Sequence, residues 1–155
     1  MRVVLRAANV SPSKQPAPLF GALGLCAGCS VEHLIQWSQY QAVMASGVVC
    51  KTPHFVLHRW NPALAPEAAP FVEGRLLLGA LTPKRWAKRA VTRNLIKRQI
   101  YEVSALYAHE LTLTAHVVRQ RSEFDKRQFI SASSSALKKA VRGELTQLFN
   151  LLPKS

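Results

Sequence analysis

The sequence predicts an α+β fold: an α-β-β-α-β-α sandwich on one small mixed sheet, preceded by a flexible amino-terminal extension. Three observations carry this expectation. Apolar residues make up 48% of the 155-residue chain, enough for one core of ordinary size. From residue 31 onward, segments of helical period alternate with segments of strand period. The first 30 residues show neither period and are rich in Pro, Ser, Gly and Ala. The expected organisation is an extension over 1–30 and one domain over 31–152.

Taken in order, Val31 to Ser46 reads as the first helix. Leu34, Ile35, Trp37, Val43 and Met44 keep helical spacing, and Gly47 supplies a stop. Thr52–Trp60 holds the β-formers Phe55, Val56 and Leu57 and reads as a strand. Asn61–Pro70, with three prolines, is a loop. Arg75–Thr82 is continuously apolar, as a buried strand would be, and Pro83 ends it. Ala87–Tyr107 carries the clearest helical pattern. Val91, Leu95, Ile96, Ile100, Val103 and Leu106 fill one half of the wheel; Arg93, Asn94, Lys97 and Arg98, with Gln99 and Tyr101, fill the other. Leu111–Val118 reads as a strand with Leu111, Leu113, Ala115 and Val117 on one face. Ser122-x-x-Asp125 is a start signal for a last helix, along which Ile130, Leu137, Val141 and Leu148 align.

Charge narrows the function. Twenty-one Lys and Arg face eight Asp and Glu, a net charge of +13. A chain with that excess repels itself unless a polyanion is near, so nucleic acid is the expected partner. A membrane partner is not expected, because no apolar run of about 20 residues occurs. Cys26, Cys29 and Cys50 are an odd count and do not suggest a disulfide framework. Cys26-x-x-Cys29 has no second pair at zinc-site spacing, so no metal site is expected there. Arg2 and Arg6 ahead of the apolar stretch Leu19–Ala27 faintly resemble an export signal, but Pro16, Pro18, Gly21 and Gly24 interrupt it. The duller readings are a flexible extension or upstream sequence added by a misplaced start codon.

The positive charge is concentrated. Lys84, Arg85, Lys88, Arg89, Arg93, Lys97 and Arg98 lie within fifteen positions without one carboxylate. Like charges at i, i+4 mildly destabilise a helix, so leaving them uncompensated makes sense if phosphates supply the counter-charge. The competing reading is a merely solvated basic face. Asn94 adds a neutral donor and acceptor among the cations, suited to an RNA edge.

The string Lys88-Arg89-Ala90-Val91-Thr92-Arg93-Asn94-Leu95-Ile96-Lys97-Arg98, after a strand with Gly79 and the pair Lys84-Arg85, resembles the Arg-Asn-Arg signature of the bacterial ribonuclease P protein family. Arg93, Asn94, Lys97 and Arg98 match it; Leu95 stands where the family usually has Arg. The resemblance runs from Val31 to the carboxyl terminus. It implies a ribosomal-protein-like form of the fold with a left-handed β-α-β crossover. It implies RNA binding by Lys84, Arg85, Lys88, Arg89, Arg93, Asn94, Lys97 and Arg98. It also implies a cleft for the 5′ leader of precursor tRNA, lined by Tyr40, Met44, Val56 and His58. Unpaired bases stack on such aromatic and apolar side chains with little sequence preference. Tyr40 and Met44 fit core spacing equally well. By the same resemblance the partners are the catalytic RNA and precursor tRNA, the compartment is cytoplasmic, and Mg2+ is bound chiefly by the RNA and not tightly by the protein.

Catalysis by the chain itself is not expected. Metal-assisted phosphodiester hydrolysis wants clustered carboxylates, and Asp125 with seven scattered glutamates forms no cluster in sequence. His54 and His58 share a strand face by parity, but lie about 13 Å apart along it, too far to share one phosphate. His109 and His116 are two further histidines distant in sequence. The remaining alternatives are a ribosomal-type structural RNA-binding protein, a stand-alone ribonuclease, and an exported lipoprotein anchored at Cys29.

Overall fold

The computed structural model describes residues 31–64, 71, 74–125 and 134–153. In chain order the elements are β1 (Val31–His33), α1 (Trp37–Ala45), β2 (Val48–Lys51), β3 (Phe55–Arg59), β4 (Leu76–Leu81), α2 (Ala90–Leu106), β5 (Ala115–Gln120) and α3 (Ser135–Asn150). The strands form one mixed sheet in the order β1-β4-β5-β3-β2. β1, β4 and β5 run parallel, while β3 and β2 are antiparallel additions. The parallel neighbours β4 and β5 are joined by a crossover through α2, as such pairs require.

Side-chain alternation along the strands makes two cores. Phe55 and Leu57 of β3, Leu76, Leu78 and Ala80 of β4 and Val118 of β5 face α2 and α3. There they meet Ile96, Ile100 and Val103 of α2 and Leu137, Val141, Leu145, Leu148 and Phe149 of α3, all buried. The opposite face carries Ala115 and Val117, covered by Val43 of α1 with Leu34. Helix ends are tied locally. Gln39 Oε1 accepts from the backbone N–H groups of Ile35 (3.2 Å) and Gln36 (3.1 Å) at the start of α1. Ser134 Oγ accepts from Leu137 N–H at 3.1 Å to cap α3.

Several expectations are corrected. Val31–His33 is a strand on the sheet edge, and the first helix begins at Trp37. A further strand, β2, follows the Gly47 stop at once; Gly47 turns with φ of 115°, a conformation glycine adopts without strain. The third predicted strand begins at Ala115, because Leu111 is buried on the α2/α3 side while Leu113 is exposed. The last helix starts at Ser135, well after Ser122 and Asp125. On α2, Val91 and Leu106 are exposed, whereas Gln99, assigned to the polar half, is buried. Its Nε2 donates to Glu102 at 2.9 Å. The extension 1–30, with Cys26 and Cys29, and Ile130 lie outside the described residues.

Candidate nucleic-acid interface

The cationic segment leaves the sheet at the end of β4. Pro83 carbonyl accepts from Trp86 N–H (3.1 Å) and Ala87 N–H (3.2 Å), turning the chain, and buried Ala87 pins that turn to the core. Lys84, Arg85, Lys88 and Arg89 are all exposed around it. The Arg85 guanidinium lies over the Trp86 ring, 4.9 Å from its centroid. Along α2, Asn94, Lys97 and Arg98 are exposed on the same side, and Leu95 packs partly against the core. Leu95 thus turns to the apolar half, as its place on the wheel requires. No acidic residue occupies the first turn of α2.

Arg93 differs from the others. Its Nη1 donates to the carbonyl oxygens of Ala87 (3.0 Å) and Lys88 (2.8 Å). The side chain is half-buried and ties the turn to the helix. Ion pairs among the described residues join Arg75 to Glu32, Arg142 to Glu102, and His54 and His109 to Glu144 and Glu110. None involves the seven cations of the segment.

The predicted leader-cleft residues all belong to the α1 side of the sheet. The Tyr40 ring lies on Gly79, and its hydroxyl donates to the Leu34 carbonyl at 3.2 Å. Tyr101, reaching from α2, lies near Tyr40 and stacks on His33, with ring centroids 4.0 Å apart. Burial pushes the Tyr101 hydroxyl up to about 12, the Tyr40 hydroxyl adds to the rise, and a backbone hydrogen bond at Ala80 opposes it. Met44 packs beside Val43 against the same core. His58 Nδ1–H donates to the Gly47 carbonyl at 3.1 Å, fixing the tautomer. Burial lowers the His58 pKa, the Gly47 bond opposes this, and the Arg119 charge lowers it further. The ring is neutral at pH 7 and holds the α1–β2 turn, leaving little of its surface open.

Strand register shows where α1 stops. Gly79, Val117 and His58 sit side by side across β4, β5 and β3, and all three are buried. The next row is Leu81, Arg119, Val56 and Lys51. Its first three members are half-buried and Lys51 is exposed. This open row ends at Leu81, two residues before the turn that carries Lys84 and Arg85. Exposed Trp37 stacks on Tyr40 at 6.2 Å, extending the aromatic surface at the start of α1.

The other titratable groups do not assemble a reaction centre. His54 precedes β3 and turns to α3, where its Nδ1 meets Glu144 Oε2 at 2.7 Å and its ring stacks on Phe124 at 4.1 Å. It therefore does not share a face with His58, contrary to the parity expectation. His116 is buried, and its Nε2–H donates to the Thr112 carbonyl at 3.0 Å. Burial brings its pKa down to about 4. His109 is exposed beside Glu110. Cys50 is a free, buried thiol raised to about 11 by burial, with its S–H donating to the Leu148 carbonyl. Among the described residues no three His, Cys, Asp or Glu side chains converge on a common point. No helix of the described residues is long and apolar enough to cross a membrane.

Known proteins share both the sequence pattern and the fold. The family model for ribonuclease P matches residues 30–147. The chain belongs to the ribonuclease P protein family. The ribonuclease P protein component of Ralstonia pickettii (strain 12J) is 31% identical over 129 residues, covering 83% of this chain and 84% of the relative. That of Burkholderia mallei (strain SAVP1) is 36% identical over 118 residues, covering 76% and 79%. The fold matches the ribonuclease P protein of Staphylococcus aureus with a TM-score of 0.51 at 17% identity, over 77% of this chain and 93% of that one. Membership in the ribonuclease P family removes the reading as a plain ribosomal-type structural protein.

Sequence reasoning missed Arg119. A lone charged residue near the end of an apolar strand reads as solvent-facing, and only the register places it in the row beside Val56.

Proposed function

We propose that this chain is the protein subunit of ribonuclease P, acting with a catalytic RNA to remove the 5′ leader of precursor tRNA. The supporting observation is the segment Lys84–Arg98, whose seven cations find no carboxylate partner among the described residues. Lys84, Arg85, Lys88, Arg89, Lys97 and Arg98 neutralise RNA phosphates, Asn94 reads a polar edge, and Arg93 holds the turn in shape. Tyr40 and Met44, with Val56 and His58 forming the floor, receive the single-stranded leader.

Bond cleavage belongs to the RNA. The described carboxylates do not converge, so they do not fit a two-metal centre. When bound by the RNA, Mg2+ supplies Lewis-acid and nucleophile-activating chemistry. The protein's part is to lower phosphate repulsion around the RNA and to hold the leader in place. Both parties work in the cytoplasm on precursor tRNA.

Multiple-turnover cleavage of precursor tRNA at low Mg2+, by bacterial catalytic RNA with and without this protein, tests the proposal. Cleavage at the mature 5′ end should rise strongly with protein present. Equal rates would reject the proposal, as would correct cleavage by RNA-free protein.

A further inference from the structure

The open row on the α1 side holds a cation that the fold itself does not use. Arg119 sits between Leu81 and Val56 in strand register, with Lys51 beyond Val56. Arg119 Nε is buried with no hydrogen-bond partner among the described residues, and none of them forms an ion pair with its guanidinium. Strand register puts Arg119 on the sheet face that carries Val56 and His58. Burying part of a guanidinium without a carboxylate is costly unless an anion arrives to complete it. Adjacent strands lie about 4.8 Å apart, so the backbones at Arg119 and Lys51 are separated by about 10 Å with an apolar residue between them. Cation, apolar floor, cation is the pattern that a single strand of nucleic acid matches, phosphates to the charges and a base face to the floor. The row also leads straight into the Lys84–Arg85 turn, so positive charge continues from the sheet to α2.

We propose that Arg119 and Lys51 clamp backbone phosphates of single-stranded RNA laid along the row Leu81–Arg119–Val56–Lys51. The occupant is the precursor leader, so the clamp rests on the leader-binding role proposed above. It adds a recognition element that reads the sugar-phosphate chain and is indifferent to base identity. Arg119 carries most of it, because its side chain is half-buried and has less freedom to lose, whereas the exposed Lys51 side chain must be ordered on binding.

The test uses holoenzyme reconstituted with bacterial catalytic RNA and three ligands: precursor tRNA, mature tRNA, and precursor whose leader phosphates are neutral methylphosphonates. Arg119→Gln should weaken precursor binding about tenfold, the scale of one charged hydrogen-bond contact. Its salt dependence should become shallower by about 0.7 in log–log slope for each single-strand phosphate that the variant leaves unneutralised. Mature tRNA binding should not change, and wild type and Arg119→Gln should bind the neutral-leader precursor equally. Arg119→Lys should recover part of the affinity, and Lys51→Gln, at an exposed position, should weaken precursor binding more mildly.

The clamp is overturned if Arg119→Gln binds precursor as wild type does. It is also overturned if the weakening is the same for mature tRNA or persists with the neutral leader. Wild-type holoenzyme that fails to distinguish precursor from mature tRNA would instead remove the leader-binding role, and the clamp with it. The two failures are therefore separable.

Discussion

The ring of Tyr40 occupies the space above Gly79 so fully that a Cβ there would stand 2.6 Å from Tyr40 Cε1 and 2.9 Å from Leu34 Cδ1. The ring has no easy retreat, because the Tyr40 hydroxyl donates to the Leu34 carbonyl at 3.2 Å. Glycine at this strand position is therefore a packing requirement, independent of its backbone freedom.

Gly79→Ala should lift Tyr40 off the sheet and disturb the cleft. Overpacking of this kind costs about 1–3 kcal/mol. Urea unfolding should show a lower midpoint with an unchanged slope, and precursor tRNA should bind the holoenzyme less well. A wild-type midpoint would mean that the ring slides aside freely, and the cleft geometry around Tyr40 would need revision.

Arg93 and Lys97 match the family signature together, yet the structure gives them different work. Lys97 is exposed and unpaired among the described residues, so Lys97→Ala should leave unfolding unchanged and make the salt slope of RNA binding shallower by about 0.7 to 0.9. Arg93→Ala removes two hydrogen bonds from the turn that presents Lys84 to Arg89. It should lower both RNA affinity and stability, the latter by about 1–3 kcal/mol. Parallel unfolding and salt-titration experiments distinguish the two. Identical behaviour of the variants would contradict the division.

Much of this was legible in the sequence, and the misses have physical causes. The basic string was readable because seven same-sign charges within fifteen positions, with no carboxylate among them, leave few other interpretations. β1 escaped because three residues are too short for an alternating pattern, and its pairing is with β4, over forty residues away. β2 escaped because a bulge between Val48 and Cys50 breaks the alternation. Gln99 was misplaced because polarity argues for solvent, while the α2–α3 contact buries it beside Glu102. His54 and His58 seemed to share a face only on the assumption of unbroken strand; the bend at Pro53–His54 sends His54 to α3. Arg119 needed the register itself, which no local pattern encodes.

Acid should destabilise the fold through its buried histidines. His116 has a folded pKa of about 4 against an ordinary 6.5, and His58 is lowered in the same sense. The unfolded chain therefore binds more protons between pH 4 and 6.5, so stability present above pH 6.5 is lost as the pH falls through that window. For His116 alone the loss is on the order of 3 kcal/mol. Urea midpoints measured from pH 7.5 to 4.5 should fall, and His116→Asn should flatten the decline whatever it does to the midpoint at neutral pH. An equally steep decline in the variant would assign the acid sensitivity to other groups.

The cation in the cleft offers a last check that needs no RNA. Arg119 lowers the His58 pKa through its charge, acting in the same direction as burial. Arg119→Gln removes the charge and leaves the burial, so His58 should titrate at a higher pH than in wild type while staying below its ordinary 6.5. The variant should also lose less stability on acidification, because the gap between folded and unfolded pKa has narrowed. NMR titration of the His58 ring reads the shift directly. Identical titration in both proteins would mean that the guanidinium points away from the cleft, and a phosphate could not reach it along the open row.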